Sequence, residues 1–213
     1  MIEGLHWLGH SSFRWDGSKT IYFDPWKLSK EPKKSDIICI SHEHFDHFSK
    51  LDISKISTAD TVIVTCKACA DELEPFTRIA RKEIKVFQAG ISIDLGGVKI
   101  KFLSSYNIKK EFHTKSSEKL GFVVTMDGIS LYHAGDTDKI PEMDGLKCDV
   151  ALLPISGTYV MTADEAAEAA IAINPKVAVP MHYGDIVGSM KDAKRFEYLL
   201  KGKVEVKILR KEE

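Results

Sequence analysis

The sequence predicts an α/β fold in which two sheets carry helices on their outer faces. Many short apolar segments, typical of strands, alternate with turn residues. A smaller number of segments have helix caps and lie between some of these strands. The chain has 213 residues, of which 44% are hydrophobic, so it can bury a sizeable core. Since no linker or low-complexity segment interrupts it, we expect a single domain over residues 1–213.

Charge and composition limit the partners that the protein can have. Lys and Arg number 30 against 31 Asp and Glu, so no strong field favours nucleic acid or an anionic membrane. The longest apolar stretches, such as 150–155, are far shorter than the ~20 residues of a membrane helix. Residues 1–13 also lack a signal-peptide pattern. We therefore expect a cytoplasmic protein with a small-molecule substrate, without nucleic acid or membrane insertion.

Short strands dominate the first half of the chain. Strands are predicted at 5–8, 12–15, 20–23, 37–40, 61–65, 84–87, 91–95 and 98–103. Asp16-Gly17 supplies a turn between the second and third of them. Segment 37–40 is continuously apolar, which is typical of a strand covered on both faces. Helices are predicted over 67–73 and 75–81.

The second half combines strands with two well-delimited helices. Predicted strands at 120–126 and 129–133 flank a hairpin signal, Asp127-Gly128, and further strands are predicted at 149–153, 177–179 and 204–209. One helix is predicted over 163–173, because Thr162 and Glu165 form a capping box and Asn174-Pro175 ends it. Another helix is predicted over 189–200 with Ser189 as its N-cap. Residues 210–213 are predicted to be a solvated tail.

Three of the eight histidines fall within the heptapeptide SHEHFDH at residues 41–47. This motif directly follows the apolar strand 37–40, and strand ends commonly present functional groups. His42 and His44 are two residues apart and project to one side, whereas Asp46 and His47 follow after a turn. Four nitrogen or oxygen donors exceed what one tetrahedral ion needs, so the motif predicts two ions.

Two later motifs also follow predicted strands. Asp136 lies in AGDTD after strand 129–133, and a carboxylate between two cations is a common bridge in dinuclear sites. His182 lies in PMHYG after an apolar strand. Alone, the first motif would indicate a turn and the second a packed histidine. Together with residues 41–47 they predict further metal ligands.

The motifs SHEHFDH, AGDTD and PMHYG resemble the metallo-β-lactamase superfamily in sequence, order and spacing. The opening LGHSSFRWDGSKTIYFDPW is similar to the branch of small metal-dependent hydrolases that includes ascorbate-phosphate lactonases and N-acyl-phosphatidylethanolamine phospholipases. The resemblance covers residues 8–189. It implies a four-layer αββα sandwich with the metal site at one edge of the two sheets.

The resemblance also implies a role for each motif residue. Two divalent ions would be held by His42, His44, Asp46, His47, Asp136 and His182. The H-x-H pair would bind the first ion, the D-H pair and the PMHYG histidine the second, and the AGDTD aspartate both. Imidazole and carboxylate suit Zn and also admit Mn or Fe. A hydroxide shared by the ions would attack an ester, lactone or phosphodiester bond, with Asp46 or a metal-bound water protonating the leaving group.

Members of the superfamily have a third histidine on the first ion, and two positions compete for it. If the chain follows the spacing of the lactonase and phospholipase branch, Asn107 stands at the position of this third histidine. By the register of other branches, the ligand lies in a short H-T segment before Gly121-Phe122, which fits His113-Thr114. Since an imidazole suits Zn better than an amide, we predict His113 as the ligand and Asn107 as an unbound neighbour. The alternative is a solvated histidine in the charged loop 109–119.

Other polar residues have two interpretations each. Asp24 either supports a ligand histidine or is a turn carboxylate, and His10 lies either near the site or in the packing. His133 is expected to be a satisfied core or surface histidine. Cys66 and Cys69 form one C-x-x-C without the second pair that a zinc ribbon needs, so we expect them to serve packing.

The resemblance favours a dinuclear metal-dependent hydrolase, and two alternative functions remain. A phosphodiesterase or nuclease has an equivalent metal site, but no basic surface or appended nucleic-acid domain is visible in the sequence. A non-catalytic metal-binding sensor that retains the fold is the alternative from another class. The intact ligand set argues against it.

Overall fold

The computed structural model describes residues 2–73 and 83–212, which form two β-sheets with four α-helices. The first sheet consists of β1 (Leu5–Gly9), β2 (Ser12–Asp16), β3 (Thr20–Phe23), β4 (Ile37–Ile40), β5 (Val62–Thr65) and β6 (Ile84–Val86). Its strands lie side by side in chain order. Strands β1 to β3 are antiparallel, and β3 to β6 are parallel.

The second sheet has the same division into an antiparallel and a parallel half. It consists of β7 (Ser92–Asp94), β8 (Lys99–Ser104), β9 (Leu120–Met126), β10 (Ile129–His133), β11 (Val150–Pro154), β12 (Val177–Met181) and β13 (Glu205–Val206). Strands β7 to β10 are antiparallel, and β10 to β13 are parallel. The α/β class with two sheets, predicted from the sequence, is therefore confirmed.

Helices connect the parallel strands of both sheets. They are α1 (Lys50–Ile56), α2 (Lys67–Leu73), α3 (Ala163–Ile173) and α4 (Met190–Leu200), together with short 3-10 helices at Lys115–Ser117 and Pro141–Met143. The predicted capping box of Thr162 and Glu165 begins α3, which packs against α4. Within the described part of the chain, every helix is too short or too polar to cross a lipid bilayer.

The core lies between the two sheets. Phe23 of β3 and His133 of β10 stack with 5.4 Å between their ring centroids, which joins one sheet to the other. His133 is fully buried, and its Nε2 donates to the carbonyl oxygen of Ser11 over 2.9 Å. His133 is thus a satisfied core histidine, as predicted.

Some predicted elements differ from the structure. The strand predicted at 204–209 is reduced to β13, because only Glu205 and Val206 pair with β12. The predicted solvated tail is wrong for Glu212, which accepts hydrogen bonds from both terminal nitrogens of Arg14 over 2.6 and 3.0 Å. The helix predicted over 75–81 lies outside the described residues.

Candidate metal centre

Polar side chains follow the ends of strands from both sheets and meet at one edge. His10 follows β1, Asp24 follows β3, and the heptapeptide 41–47 follows β4. From the second sheet, Asp136 comes after β10 and His182 directly after β12. Carboxyl ends of strands that run in one direction share one edge of a sheet, and β1 has the same direction as β3 because both are antiparallel to β2. The two sheets together therefore present these groups to a common point.

The backbone is strained at several of these positions. His10, Asp24, His113 and His182 have positive φ angles between 42° and 60°. A residue other than glycine in this left-handed region costs about 1 kcal/mol or more, and such residues cluster at functional sites. The fold therefore maintains unfavourable backbone conformations where it directs these side chains.

Three imidazoles converge in what we call the first donor group, formed by His42, His44 and His113. The Nδ1 atom of His44 lies 3.1 Å from Nε2 of His42 and 3.0 Å from Nε2 of His113. Ser41 Oγ, 2.8 Å from Nδ1 of His42, fixes that ring. Nitrogens bound to one tetrahedral Zn at about 2.0–2.1 Å lie about 3.3 Å apart, so these spacings fit one ion.

The second donor group contains Asp46, His47 and His182, whose potential ligand atoms lie within 4.8 Å of one another. Nδ1 of His47 donates to Asp24 Oδ2 over 2.7 Å, and Nδ1 of His182 is hydrogen-bonded to Ser156 Oγ over 2.9 Å. The opposite nitrogen, Nε2, lies 3.7 Å from Asp46 Oδ2 in His47 and 3.9 Å in His182. Both rings are thereby oriented towards the carboxylate.

Asp136 lies between the two donor groups. Its Oδ2 atom is 3.4 Å from Nε2 of His113 and 3.2 Å from Nε2 of His182, and its Oδ1 atom is 3.2 Å from Nε2 of His47. The buried Oδ1 of Asp136 and Nε2 of His47 nevertheless make no hydrogen bond. Leaving buried polar atoms unsatisfied costs about 1–3 kcal/mol each, and a cation at this place would satisfy both. The donor set therefore fits divalent metal ions.

His10 and Asp24, whose roles the sequence left open, both contact the second donor group. His10 is fully buried, and its Nε2 donates to Asp46 Oδ2 over 3.0 Å. Asp24 is also fully buried and accepts three hydrogen bonds of 2.7 Å, from the Ser41 amide, the Ser41 hydroxyl and His47. Asp24 thus supports a histidine, and His10 lies near the site. Ser156, which also contacts the second donor group, was not predicted, because no motif marks it.

Electrostatics at the site differs between the two groups: the imidazoles of the first donor group are kept neutral, whereas Asp136 and Asp24 raise the pKa of His47 well above its usual value although burial opposes this. Burial holds the pKa of His42 well below its usual value and lowers the pKa of His113 to about 4. Burial alone would raise the pKa of Asp46, but the hydrogen bond from His10 and the charge of His47 lower it to about 2. At neutral pH, therefore, His42 and His113 have free lone pairs and Asp46 is ionised.

Asn107 and His113 are neighbours with different contacts. The side-chain nitrogen of Asn107 donates to the carbonyl oxygens of Phe112 and Tyr159 over 2.9 and 2.7 Å, and lies 3.3 Å from Nδ1 of His113. The amide therefore anchors the segment that carries His113, whose Nε2 belongs to the first donor group. That His113 binds metal remains a prediction.

A cavity of about 260 Å³ opens onto both donor groups. Its polar lining comes from the cluster, namely His44, Asp46, His113, Asp136 and His182. Its other walls are apolar or aromatic and consist of Phe45, Phe112, Tyr159, Ile186 and Val187. Among the residues that the structure describes, no lysine or arginine lines the cavity.

Comparison with known proteins shows similarity over nearly the whole chain. A family model described as a β-lactamase superfamily domain matches residues 4–182. A UPF0173 metal-dependent hydrolase of Thermoplasma acidophilum is 33% identical over 204 residues, which cover 91% of this chain and 88% of the relative.

Two solved structures extend the comparison to the fold. A protein from Parabacteroides distasonis, assigned to the metal-dependent hydrolases, is 30% identical with a TM-score of 0.83, covering 98% of this chain and 93% of that one. Igni18, a metallo hydrolase of Ignicoccus hospitalis, is 25% identical with a TM-score of 0.76, covering 98% and 95%. These similarities confirm the predicted fold class, a four-layer αββα sandwich of the metallo-β-lactamase type.

Proposed function

Since this chain belongs to the UPF0173 family of metal-dependent hydrolases within the metallo-β-lactamase superfamily, we propose that it uses two divalent ions to hydrolyse an ester or lactone bond of a small substrate. The observation that carries the proposal is the position of Asp136. Its carboxylate lies 3.2–3.4 Å from imidazoles of both donor groups. A carboxylate shared in this way suits a pair of neighbouring cations.

The two donor groups would each hold one ion. His42, His44 and His113 would hold the first, Asp46, His47 and His182 the second, and Asp136 both. These donors suit Zn and also admit Mn or Fe. When bound, the ions would supply a hydroxide nucleophile at neutral pH and polarise the scissile carbonyl.

Residues behind the donors determine which nitrogen each imidazole presents. A carboxylate only accepts hydrogen bonds, so Asp24 fixes a proton of His47 on Nδ1 and turns Nε2 towards Asp136 Oδ1, 3.2 Å away. Ser156 holds the ring of His182 through its Nδ1 atom. Such outer contacts orient the ligands. Their removal commonly lowers metal affinity or activity by about 10–100-fold.

Among the described residues that line the cavity, Asp46 is placed to move a proton. It lines the cavity, its carboxylate is held by His10, and its lowered pKa keeps it ionised. It can therefore accept a proton from the attacking water and pass that proton to the leaving oxygen of the substrate.

The cavity favours a compact, uncharged substrate. Phe45, Phe112, Tyr159 and Ile186 would contact an apolar acyl chain or lactone ring. A volume of about 260 Å³ lies below the roughly 300–1,000 Å³ of pockets for drug-sized ligands. Recognition of a nucleic-acid backbone relies on lysine and arginine, which are absent from the described lining. The apolar lining therefore favours esters and lactones over phosphodiesters as substrates.

The proposal is tested with protein reconstituted in Zn, Mn or Fe and checked by elemental analysis, which should find close to two ions per chain. Aryl esters, lactones, thioesters, amides and phosphodiesters serve as substrates. Esters or lactones should be hydrolysed, and Asp46→Asn should lower kcat/KM at least 100-fold, about 2.7 kcal/mol of barrier. The matched control is Asp60→Asn, an exposed loop aspartate outside the site.

Three results would contradict the proposal. One ion or fewer after reconstitution removes the dinuclear site. Hydrolysis of phosphodiesters alone supports the phosphodiesterase alternative. Two bound ions without hydrolysis of any substrate class support the non-catalytic sensor.

A further inference from the structure

Cys66 and Cys69 form a pair of thiols that the proposed hydrolysis does not use. Cys66 is the residue between β5 and α2, and Cys69 lies in the first turn of α2. Their sulfur atoms are 3.7 Å apart, and both residues are buried. We propose that these two cysteines are a redox-active dithiol, which a hydroperoxide converts into an intramolecular disulfide.

The geometry allows the bond to form within the native fold. A disulfide requires an S–S distance of about 2.05 Å, so the two sulfurs must approach by about 1.7 Å in total. Both side chains share one turn at the start of a helix, and each needs to cover only part of that distance. Packing alone does not require two sulfurs in contact.

The two thiols differ in access. Cys66 lines a surface cavity of about 630 Å³ together with Lys67, Phe87, Gln88 and Ser117. Cys69 is fully buried and does not line it. A small hydroperoxide therefore reaches Cys66 first.

The two thiols also differ in acidity. The side-chain hydrogen bond with Cys69 lowers the pKa of Cys66 to about 7; burial opposes this shift, and the Cys69 amide adds to it. Burial raises the pKa of Cys69 well above its usual value. Since the thiolate is the reactive form, Cys66 is the attacking residue and Cys69 the resolving one.

The reaction takes place in two balanced steps. The thiolate of Cys66 attacks the terminal oxygen of the hydroperoxide, an S–O bond forms, and the O–O bond breaks to release an alkoxide, or hydroxide where the oxidant is hydrogen peroxide. The sulfur of Cys69 then attacks the sulfenic acid, an S–S bond forms, and the S–O bond breaks. The departing hydroxyl takes the thiol proton and leaves as water. The thiols lose two electrons, and the peroxide gains them.

A metal ion is the competing occupant, because the Glu43 carboxylate lies within 4.8 Å of both sulfurs. Glu43, however, already accepts a hydrogen bond from the ammonium group of Lys119 over 2.8 Å. Lys119 is only 4% exposed, so its positive charge stays beside this carboxylate and disfavours a cation. Two sulfurs and one engaged carboxylate also fall short of the four ligands typical of a structural Zn site.

The test follows the thiols directly and does not depend on hydrolase activity. Protein purified under reducing conditions is freed of reductant, treated with hydrogen peroxide, denatured and alkylated. The reduced chain should gain four alkyl groups, one for each of its free cysteines, and the oxidised chain only two. Peptide mapping should show a Cys66–Cys69 cross-link.

Two variants assign the roles of the thiols. Cys69→Ser should block the cross-link and leave at Cys66 a sulfenic acid that dimedone traps. Cys148→Ser is the matched control and should give the same cross-link as the wild-type protein. If Cys69→Ser does not fold, the cross-link map of the wild-type chain alone tests whether the disulfide forms.

Three outcomes overturn the proposal. The first is retention of all four thiols in excess peroxide. The second is oxidation of Cys39 or Cys148 in place of the pair. The third is loss of one Zn ion per chain in both Cys66→Ser and Cys69→Ser, which would identify the cysteines as metal ligands.

Discussion

At the scale of single residues, Asn107 and His113 show how two adjacent polar side chains divide their tasks. Asn107 uses its amide nitrogen on the carbonyl oxygens of Phe112 and Tyr159. His113 presents Nε2 to His44, 3.0 Å away. The side-chain oxygen of Asn107 also accepts no hydrogen bond, but a neutral amide oxygen is a poorer Zn ligand than an imidazole nitrogen, so the two side chains should respond differently to removal.

His113→Ala should weaken the binding of one ion more than 100-fold and leave the other ion in place. Asn107→Ala should weaken it by about 10-fold, as expected for a residue that orients a ligand. Competition with a chromogenic chelator measures both affinities. If Asn107→Ala alone weakens binding, or if neither change does, His113 is not the third ligand.

Asp24→Asn tests support from behind the donors. The buried carboxylate accepts from Ser41 and from Nδ1 of His47, and an amide would accept with one oxygen only. We expect metal affinity to fall by about 10–100-fold, although the metal ligands themselves are unchanged. Metal titration measures this, and urea unfolding of the metal-free protein controls for lost stability. Unchanged affinity would reduce Asp24 to a turn residue.

The order of three motifs predicts the donors, and Asp24 was one predicted candidate for support, whereas Ser156 was not predicted. Residues 41–47 stand together in the chain, and Asp136 and His182 each follow an apolar strand. By contrast, Ser156 approaches His182 from a loop 26 residues away, and nothing local marks it. Contacts between distant segments depend on the closed fold, so they are not encoded in any short pattern.

At the scale of elements, local signals succeeded where the stabilising interactions are local. The helix predicted over 163–173 has the bounds of α3, because its capping box lies within the segment. Helix α1 was not predicted, although Ser49 forms its N-cap. The end of the chain was misjudged because Glu212 finds its partner, Arg14, at the opposite end of the sequence.

Asp149 joins the parallel strands β10 and β11 and gives a pH-dependent contribution to stability. The hydrogen bond from Lys176, together with those from Ser130, lowers its pKa to about 2. A folded pKa below the unfolded value of about 3.9 means that this stability is present above about pH 4. It is lost as the pH falls towards about 2.

Asp149→Asn should therefore lower the free energy of unfolding by about 1 kcal/mol at neutral pH, a small value because Lys176 is largely exposed. Urea unfolding at about pH 7 and about pH 3 measures the difference between variant and wild type. The difference should shrink at the lower pH. An equal loss at both pH values would mean that the charge of Asp149 contributes nothing.

At the scale of the whole molecule, the candidate metal centre connects the two sheets. The heptapeptide 41–47 follows β4 of the first sheet, whereas Asp136 and His182 follow β10 and β12 of the second. Ions held by both sets would cross-link the layers of the sandwich at one edge. Metal-free protein instead keeps Asp46 and Asp136 ionised close together, and among the imidazoles around them the pKa of His47 is raised well above its usual value by Asp136 and Asp24 against the effect of burial.

Metal binding should therefore raise the melting temperature of the entire domain. A ligand at 1,000 times its Kd stabilises the folded state by about 4 kcal/mol. In a chain of this size, each kcal/mol shifts Tm by about 2–4 °C, so one such ion should raise it by about 8–16 °C. Calorimetry of Zn-loaded and chelator-treated protein measures the shift, and Asp136→Asn should remove most of it. If protein loaded with two ions has the same melting temperature as the metal-free protein, the ions do not bridge the sheets.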